Sequence, residues 1–255
     1  MERAIYPILE FDAAPESIIE PSCVIKHIDA PDHCVVCFFQ EVITRLCKDG
    51  KTKMIACLKD GVGTHPVYEL DINGKRLAMF HPGVGAPLVA GMLEEVIALG
   101  CKKFIACGGA GVLDKGITFG RIIVPSVAVR DEGTSYHYLP LSREVAASPE
   151  GVSAIEKVLK KHRCDYIVSK TWTTDAPYRE TPAKIHIRKL EGCLTVEMEA
   201  AALFAVSKFR GVVFAQMLYG GDDVSGPKWD PRRENKRESL HERLFWFAAE
   251  ACLAL

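Results

Sequence analysis

The hydrophobic positions of this chain fall into short apolar runs that alternate with amphipathic segments. Short apolar runs bounded by turn residues are typical of buried strands, and apolar residues that recur at every third or fourth position are typical of helices. Strands are predicted at residues 34–39, 67–70, 76–80, 104–107, 121–129, 165–169 and 212–219. Helices are predicted at residues 87–99, 151–162, 198–209 and 233–253.

Local signals define several connections between these elements. The Asn73-Gly74 step lies between two predicted strands and predicts a β-hairpin, because both residues tolerate the positive φ angles of a two-residue turn. Gly100 follows a predicted helix and predicts its end. No repeat, linker or charge block divides residues 1–255. We therefore predict a single α/β domain, a three-layer sandwich in which helices flank a mixed, mostly parallel sheet.

Composition excludes several classes of protein. Apolar residues make up 48% of the chain and charged residues 25%, which is typical of a globular domain and not of a disordered or low-complexity chain. A formal net charge of −1 gives no global attraction to nucleic acid or to an anionic membrane. No apolar run reaches the roughly 18 residues of a membrane span. We therefore expect small-molecule partners, and neither nucleic acid nor membrane.

The cysteines and the amino-terminal residues indicate a cellular compartment. The 10 cysteines are scattered through apolar runs, where a free thiol packs as a small hydrophobic group. Cys34 and Cys37 have a metal-ligand spacing, but no second pair of Cys or His accompanies them, so we expect no metal. The first residues lack the basic start and apolar stretch of a secretory signal. These features predict a cytoplasmic protein.

Two glycine-rich segments, at residues 81–85 and 108–111, follow predicted strands. Ligands of α/β sheets bind beyond the carboxyl ends of strands, and glycine allows the backbone to turn tightly or to approach a ligand closely. Backbone N–H groups in such segments can hold an anion. A simpler explanation, a tight turn between strand and helix, stays open for each segment.

Acidic residues mark two further sites. Glu197 and Glu199 begin an otherwise apolar helix, where they complement the helix dipole, but a buried carboxylate is costly unless it accepts hydrogen bonds. The two hydroxyls of a sugar diol would supply such donors. Asp222 and Asp223 follow the predicted strand at 212–219. Paired acids at a strand end are typical of functional sites and equally of a cap or turn.

Together these segments resemble the nucleoside phosphorylase family, which includes purine nucleoside phosphorylase, uridine phosphorylase and methylthioadenosine nucleosidase. The resemblance covers residues 34–250 and leaves an amino-terminal extension packed on the domain. Its most specific part is Val196-Glu-Met-Glu-Ala-Ala-Ala202, which is similar to the family's ribose-binding signature. The resemblance implies that Glu199 binds the 2′- and 3′-hydroxyls, with Met198 packed on the sugar and Glu197 beside them.

The same resemblance implies roles on the base side of the site. The family's catalytic aspartate corresponds to Asp222, and Asp223 is its possible substitute because the family's Ser-Asp pair is altered here. The aromatic residue that stacks on the base corresponds to Trp172, with Tyr178 as the second candidate. Arg179 lies near the place where uridine-specific members hold the pyrimidine.

On the phosphate side the chain departs from the family pattern. Gly83, Gly108 and Gly109 correspond to the family's glycine loops, whose backbone N–H groups would contact phosphate. Phosphorolytic members usually have Ser or Thr, and an Arg three residues earlier, where this chain has Gly109 and Ala106. Arg45 is the cation in the segment that occupies the place of the family's early phosphate loop. We therefore expect phosphate to be bound by backbone N–H groups together with Arg45 or an Arg from another subunit.

These features predict a pentosyltransferase, a nucleoside phosphorylase that cleaves an N-glycosidic bond with inorganic phosphate as co-substrate and no other cofactor. A purine is preferred over uridine because Asp222 suits protonation of a purine base. One alternative is a nucleosidase, in which Glu41, near the family's water-positioning glutamate, would orient a water molecule. Another is a nucleoside-binding protein without turnover. The resemblance also implies a homo-oligomer, either a dimer or a hexamer of dimers.

Overall fold

The computed structural model describes residues 3–61, 63–234 and 237–255. Its strands are β1 (His33–Cys37), β2 (Thr52–Lys59), β3 (Thr64–Ile72), β4 (Lys75–Phe80), β5 (Lys103–Val112), β6 (Ile122–Asp131), β7 (Glu144–Ala146), β8 (Tyr166–Thr174), β9 (Cys193–Glu197) and β10 (Val213–Asp223). Its α-helices are α1 (Pro21–Val24), α2 (Gln40–Lys48), α3 (Ala86–Leu99), α4 (Pro149–Lys161), α5 (Pro182–Leu190), α6 (Ala200–Arg210) and α7 (Glu238–Cys252). Short 3-10 helices lie at Pro7–Leu9, Thr134–His137 and Pro177–Arg179.

The sheet is organised around β5. One edge of β5 pairs with β10 along its length. The other edge pairs with β1 as far as Cys107 and with β9 from Gly111 onward. The sheet therefore forks between Cys107 and Gly111, where β1 and β9 diverge, and this fork creates an opening beside the backbone of β5.

The remaining strands extend from β5 in two directions. In one direction, β5 pairs with β10, and the series β10, β6, β8 and β9 leads back to β5, so these described strands form a closed ring. In the other direction, the strands extend from β5 as an open series in the order β1, β4, β3 and β2. Strands β4, β1, β5 and β10 are parallel to their neighbours in that series, and β6, β8 and β9 form a second parallel group. The two groups meet in antiparallel pairings. The predicted mixed sheet with helices is confirmed.

Two helix pairs pack against this sheet. Helix α7 packs on α4 and on β1 and β5, while α6 packs on α3 and on β6 and β10. The first eight residues of α6, from Ala200 to Ser207, are all buried, as its nearly continuous apolar sequence predicts. No helix among the described residues is long and apolar enough to cross a bilayer.

Several boundaries differ from the predicted ones. The hairpin between β3 and β4 is confirmed, with φ of 55° at Asn73 and 82° at Gly74. The predicted turn at 108–111 is wrong, because β5 continues to Val112 through its pairing with β10. Helix α7 begins at Glu238 instead of 233, and residues 235 and 236 of the predicted helix lie outside the described residues. Elements that were not predicted are β2, β7 and β9 and the helices α1, α2 and α5. Strand β2 does contain an apolar run at residues 54–58, but only Leu58 of this run is buried.

Candidate functional site

A cavity of about 340 Å³ opens at the fork of the sheet. It is lined by the carboxyl-terminal parts of β5 and β10, the end of β9, and the segments that follow β1, β4 and β8. Its charged and amide side chains are Glu180, Glu197, Glu199, Gln216, Asp222 and Arg237. A wider groove of about 980 Å³ lies between the amino-terminal segment and α3. None of these six side chains lines that groove. The cavity at the fork is therefore the candidate site.

Glu197 is buried and binds the protein itself. One carboxylate oxygen accepts a hydrogen bond from Oγ1 of Thr173 at 2.6 Å, and the other accepts from the backbone N–H groups of Glu199 and Ala200 at 2.7 and 2.6 Å. These N–H groups lie at the start of α6, so the carboxyl group satisfies donors that the helix leaves unpaired. Burial, and then repulsion from Glu199, raises the pKa of Glu197. Glu197 thus positions the segment that carries Met198 and Glu199.

Glu199 lies on the cavity wall beside Met198. Its Oε1 accepts a hydrogen bond from the backbone N–H of Gly85 at 2.8 Å. Burial raises the pKa of Glu199, and the hydrogen bond from Gly85 opposes that rise. The glycine segment after β4 therefore holds a carboxylate. Gly83 is not part of the described cavity lining, and its N–H donates to Nδ1 of His81 at 3.1 Å.

Asp222 also lines the cavity, at the end of β10. Its Oδ2 accepts a hydrogen bond of 2.6 Å from the indole Nε1 of Trp229. Glu180, in the segment after β8, also lines the cavity. Burial, and then the charge of Asp222, raises the pKa of Glu180 to about 7. The charge of Asp222 therefore acts on the carboxyl group of Glu180, and a carboxyl group with a raised pKa is suited to proton transfer.

Asp223 has a different environment from its neighbour. It accepts hydrogen bonds from the backbone N–H of Ser225 at 2.8 Å and from Nη2 of Arg232 at 3.1 Å. Burial raises the pKa of Asp223, but these bonds outweigh it and lower the pKa overall. Asp223 shapes the loop after β10 and is absent from the described lining of the cavity.

Trp172 lies in a small core cluster and not in the described lining of the cavity. Its side chain has no exposed surface, and its Nε1 donates a hydrogen bond of 2.9 Å to Oδ2 of Asp131. The ring packs among apolar residues that include Val129 and Val196. The structure thus places Trp172 where its faces are covered by protein, and it offers no free face to a base.

The other two base candidates lie on the surface. Tyr178 is 99% exposed, and Arg179 is also exposed; neither is among the described cavity-lining residues. Their neighbours Pro177 and Glu180 line the cavity instead. The segment after β8 therefore lies at the site as predicted, but Pro177 and Glu180, and not Tyr178 and Arg179, are the residues that line the cavity.

Neither of the two candidates on α2 is among the described residues that line the cavity. Arg45 forms an ion pair of 3.0 Å with Glu242 of α7. Glu41 contacts Nδ1 of His241 at 2.5 Å. The structure supplies a different cation, because Arg237, directly before α7, lines the cavity. Arg237 lies in a run of charged residues whose sequence alone does not distinguish the side chain that reaches the site.

Gly108 and Gly109 lie on the cavity wall as predicted, within β5. Tyr219, which pairs with Gly109 across the sheet, also lines the cavity. A Cβ atom on Gly109 would lie 2.8 Å from the Tyr219 ring, so glycine is required here by close approach. The sequence did not identify Tyr219 as a site residue. The feature that could have indicated it is its position near the end of a strand, directly before Gly220.

Comparison with known proteins identifies a family and several similar proteins. The model of the phosphorylase superfamily matches residues 32–245. A guanosine phosphorylase from Halorubrum lacusprofundi is 24% identical over 170 residues, which are 67% of this chain and 68% of that protein. A uridine phosphorylase from Haemophilus influenzae is 26% identical over 55% of this chain and 62% of that protein. The chain thus matches less than two thirds of the length of that second relative.

Solved structures share the fold. A uridine phosphorylase from Vibrio fischeri superposes with a TM-score of 0.75 at 22% identity, covering 92% of this chain and 99% of the other. An AMP nucleosidase from Bacteroides thetaiotaomicron gives a TM-score of 0.70 at 20% identity, covering 89% of each chain. The family match covers residues 32–245, which include all the described strands and the fork of the sheet. The chain therefore belongs to the phosphorylase superfamily.

Proposed function

We propose that this protein cleaves the N-glycosidic bond of a nucleoside, with inorganic phosphate as the nucleophile and no other cofactor. The observation that carries the proposal is the placement of two acids, Glu199 and Asp222, in the lining of one cavity. Glu199 is held by the N–H of Gly85, and Asp222 is held by the indole of Trp229. One carboxyl group can bind the sugar while the other acts on the base.

Glu199 accepts the 2′- and 3′-hydroxyls of ribose in this proposal. Its carboxylate accepts the N–H of Gly85 and is buried. A buried carboxylate needs further hydrogen-bond donors, which the sugar hydroxyls would supply. Met198 supplies an apolar surface to the ribose ring. Glu197 contributes indirectly, since its carboxyl group holds the backbone N–H of Glu199.

Asp222 donates a proton to the leaving base as the glycosidic bond lengthens and the sugar becomes oxocarbenium-like. General acid catalysis of this kind typically contributes about 10²–10⁴-fold. The Trp229 hydrogen bond occupies Oδ2 and so orients Oδ1 as the oxygen available to the base. Glu180 lines the same cavity, and in this proposal its carboxyl group forms hydrogen bonds with the edge of the base.

We propose a purine as the base. Asp222 can protonate N7 of a purine, an atom that a pyrimidine lacks. Relatives carry both specificities, since one is a guanosine phosphorylase and another a uridine phosphorylase. The exposed position of Arg179 gives the chain no cation from this segment to hold a pyrimidine edge.

Phosphate would bind beside Gly108 and Gly109, with Arg237 as the cation in place of Arg45. All three chosen residues line the cavity, whereas Arg45 is paired with Glu242 outside the described lining. Charge-assisted hydrogen bonds from a guanidinium are about twice as strong as neutral ones. Arg237 therefore supports a phosphate nucleophile.

The charge balance of the cavity favours a second candidate, hydrolysis by water. Among the described lining residues, the carboxyl groups of Glu180, Glu197, Glu199 and Asp222 accompany a single guanidinium, that of Arg237. An excess of acids disfavours a dianion through like-charge repulsion. Glu41 does not serve as the water-positioning group in this version, because its carboxylate contacts His241 outside the described lining.

A homo-oligomer is part of the proposal. Apolar side chains of the amino-terminal segment face solvent, with Ile18 fully exposed and Ile19 74% exposed. Contiguous exposed apolar surface is typical of contact sites between proteins. Light scattering on the purified protein separates a monomer from the dimer or hexamer that we expect.

Product analysis tests the reaction. The purified protein is incubated with guanosine, inosine, adenosine or uridine, with and without phosphate. Ribose 1-phosphate formed from a purine nucleoside only when phosphate is present is the expected result. Free ribose formed at equal rates in both conditions would establish the nucleosidase. Tight nucleoside binding without any product would establish a binding protein.

A further inference from the structure

A chain of side chains leads from the cavity to the protein surface through Tyr219, His241 and Glu41. The Tyr219 hydroxyl lies 3.0 Å from Nε2 of His241, and Nδ1 of His241 lies 2.5 Å from Oε1 of Glu41. The three residues come from β10, α7 and α2. Their contact joins elements that are far apart in sequence, and it begins at a residue of the cavity wall.

Aromatic packing holds this chain in place. The His241 ring stacks on Phe39 with centroids 4.0 Å apart and an angle of 6° between planes. Phe119 packs edge-on against Tyr219 at 5.8 Å. The His241 side chain is only 13% exposed, whereas Glu41 is 51% exposed. The imidazole is therefore a fixed link between an internal hydroxyl and a surface carboxylate.

The Tyr219 hydroxyl occupies the space beside the glycines of β5. A Cβ atom on Gly109 would lie 3.1 Å from the hydroxyl oxygen, so the phenol fills the place that a side chain at 109 would take. Gly108 and Gly109 line the cavity together with Tyr219. The Tyr219 hydroxyl of β10 therefore lies beside the part of β5 whose residues, Gly108 and Gly109, have no side chains.

Charge in this region suits an anion. Burial raises the pKa of Tyr219, and the nearby Arg237 guanidinium opposes that rise, while Asp222 and Glu41 add to it. The phenol therefore keeps its proton and lies within electrostatic range of Arg237. A neutral hydroxyl donor beside a guanidinium is a common way to bind an oxyanion.

We propose that the Tyr219 hydroxyl binds the nucleophilic phosphate and that His241 and Glu41 are positioning residues that act through it. This inference rests on the proposed function, which supplies the phosphate. When both ring nitrogens of His241 carry a proton, Nδ1–H donates to Glu41 and Nε2–H donates to the Tyr219 oxygen. The hydroxyl hydrogen is then directed to a phosphate oxygen, and the Glu41 carboxylate stabilises this arrangement by neutralising the imidazolium.

Calorimetric titration with inorganic phosphate tests the hydroxyl directly. Tyr219→Phe keeps the ring against Gly109 and removes only the oxygen. We expect phosphate to bind the variant about tenfold or more weakly, the effect of losing a hydrogen bond to a charged group. In steady-state assays the KM for phosphate rises by a similar factor, and the KM for nucleoside changes by less than about twofold.

A matched pair of variants tests the positioning residues. Glu41→Gln removes the charge that faces His241, whereas Glu242→Gln removes a charge that joins the same two helices through Arg45 and does not lead to Tyr219. We expect Glu41→Gln to raise the KM for phosphate by roughly threefold without a comparable change for nucleoside. Glu242→Gln leaves both KM values as in the wild-type protein.

The outcomes separate this inference from the proposed function. Wild-type phosphate affinity in a folded Tyr219→Phe variant overturns the inference and leaves phosphorolysis intact. Equal increases in the KM for phosphate and for nucleoside also overturn it, because they indicate a general distortion of the site. Phosphate binding that depends on Tyr219, in a protein whose wild-type form releases only free ribose, confirms the anion site at Tyr219 but refutes phosphate as the nucleophile, and with it the proposed phosphorolysis. A wild-type protein that neither binds nor uses phosphate overturns both.

Discussion

The carboxyl groups of Glu197 and Glu199 bind different parts of the protein, although only one residue separates them in the sequence. The Glu197 carboxylate accepts the backbone N–H of Glu199 at 2.7 Å, while the Glu199 carboxylate reaches across to Gly85 at 2.8 Å. Both acids line the cavity, but the carboxylate of the first accepts the N–H groups at the start of α6, whereas that of the second accepts none of them. Their substitution should therefore separate stability from activity.

Glu199→Ala should lower kcat/KM for the nucleoside by roughly a hundredfold, since the charged group that accepts hydrogen bonds from two ribose hydroxyls is lost. Its free energy of unfolding should stay within about 1 kcal/mol of the wild-type value, because the carboxylate is costly to bury. Glu197→Ala should instead lower the free energy of unfolding by about 1–3 kcal/mol through the loss of the cap. Urea unfolding and initial rates on both variants check this contrast, and identical profiles would contradict it.

Trp229→Phe should lower kcat about tenfold for a purine nucleoside. The change removes the indole N–H that holds Oδ2 of Asp222 at 2.6 Å, so the carboxyl group is no longer oriented toward the base. Trp229 is 60% exposed, and the fold should tolerate the change. Trp246→Phe, on the partly exposed surface of α7, is the control and should have wild-type kcat. Unchanged kcat in Trp229→Phe would remove Trp229 from the site.

Glu180→Gln should make stability less dependent on pH. The pKa of Glu180 is raised to about 7 by burial and by Asp222, so between about pH 4.5 and 7 the folded protein binds more protons at this residue than the unfolded chain does. The contribution of Glu180 to stability is therefore present at low pH and is lost as the pH rises through 7. We expect the variant to exceed the wild type by about 1–3 kcal/mol at pH 8 and to match it near pH 4.

Chemical unfolding at a series of pH values measures this difference. Glu16→Gln is the control, because Glu16 is exposed and its replacement should leave the pH profile unchanged. A gap between Glu180→Gln and wild type that is constant with pH would show that Glu180 has no raised pKa.

Trp172→Phe should lower stability and leave the KM for nucleoside unchanged. The indole has no exposed surface and donates a hydrogen bond to Asp131, so its loss should cost about 1–3 kcal/mol in the free energy of unfolding. A KM that rises tenfold at unchanged stability would restore base stacking as the role of Trp172. Thermal unfolding and steady-state rates on one preparation decide between the two roles.

The amino-acid sequence by itself determined the local features of this protein. Apolar runs and helical periodicity predicted seven of the described strands, all except β2, β7 and β9, and the helices α3, α4, α6 and α7. Asn73-Gly74 predicted the turn between β3 and β4. The segment Val196-Glu-Met-Glu-Ala-Ala-Ala202 indicated the family, which the superfamily match confirms. These features are readable because periodicity, turn conformation and contiguous motifs depend on neighbouring residues.

Tertiary structure alone decided which side chains reach the cavity. The glycines at 108–111 look like a turn in sequence, yet β10 pairs with them and keeps them in a strand. Trp172 and Tyr219 are both aromatic residues in strands, but one is covered by core residues and the other lines the cavity. Whether an aromatic or charged side chain is buried, exposed or directed into a site depends on long-range packing, which residues distant in sequence supply.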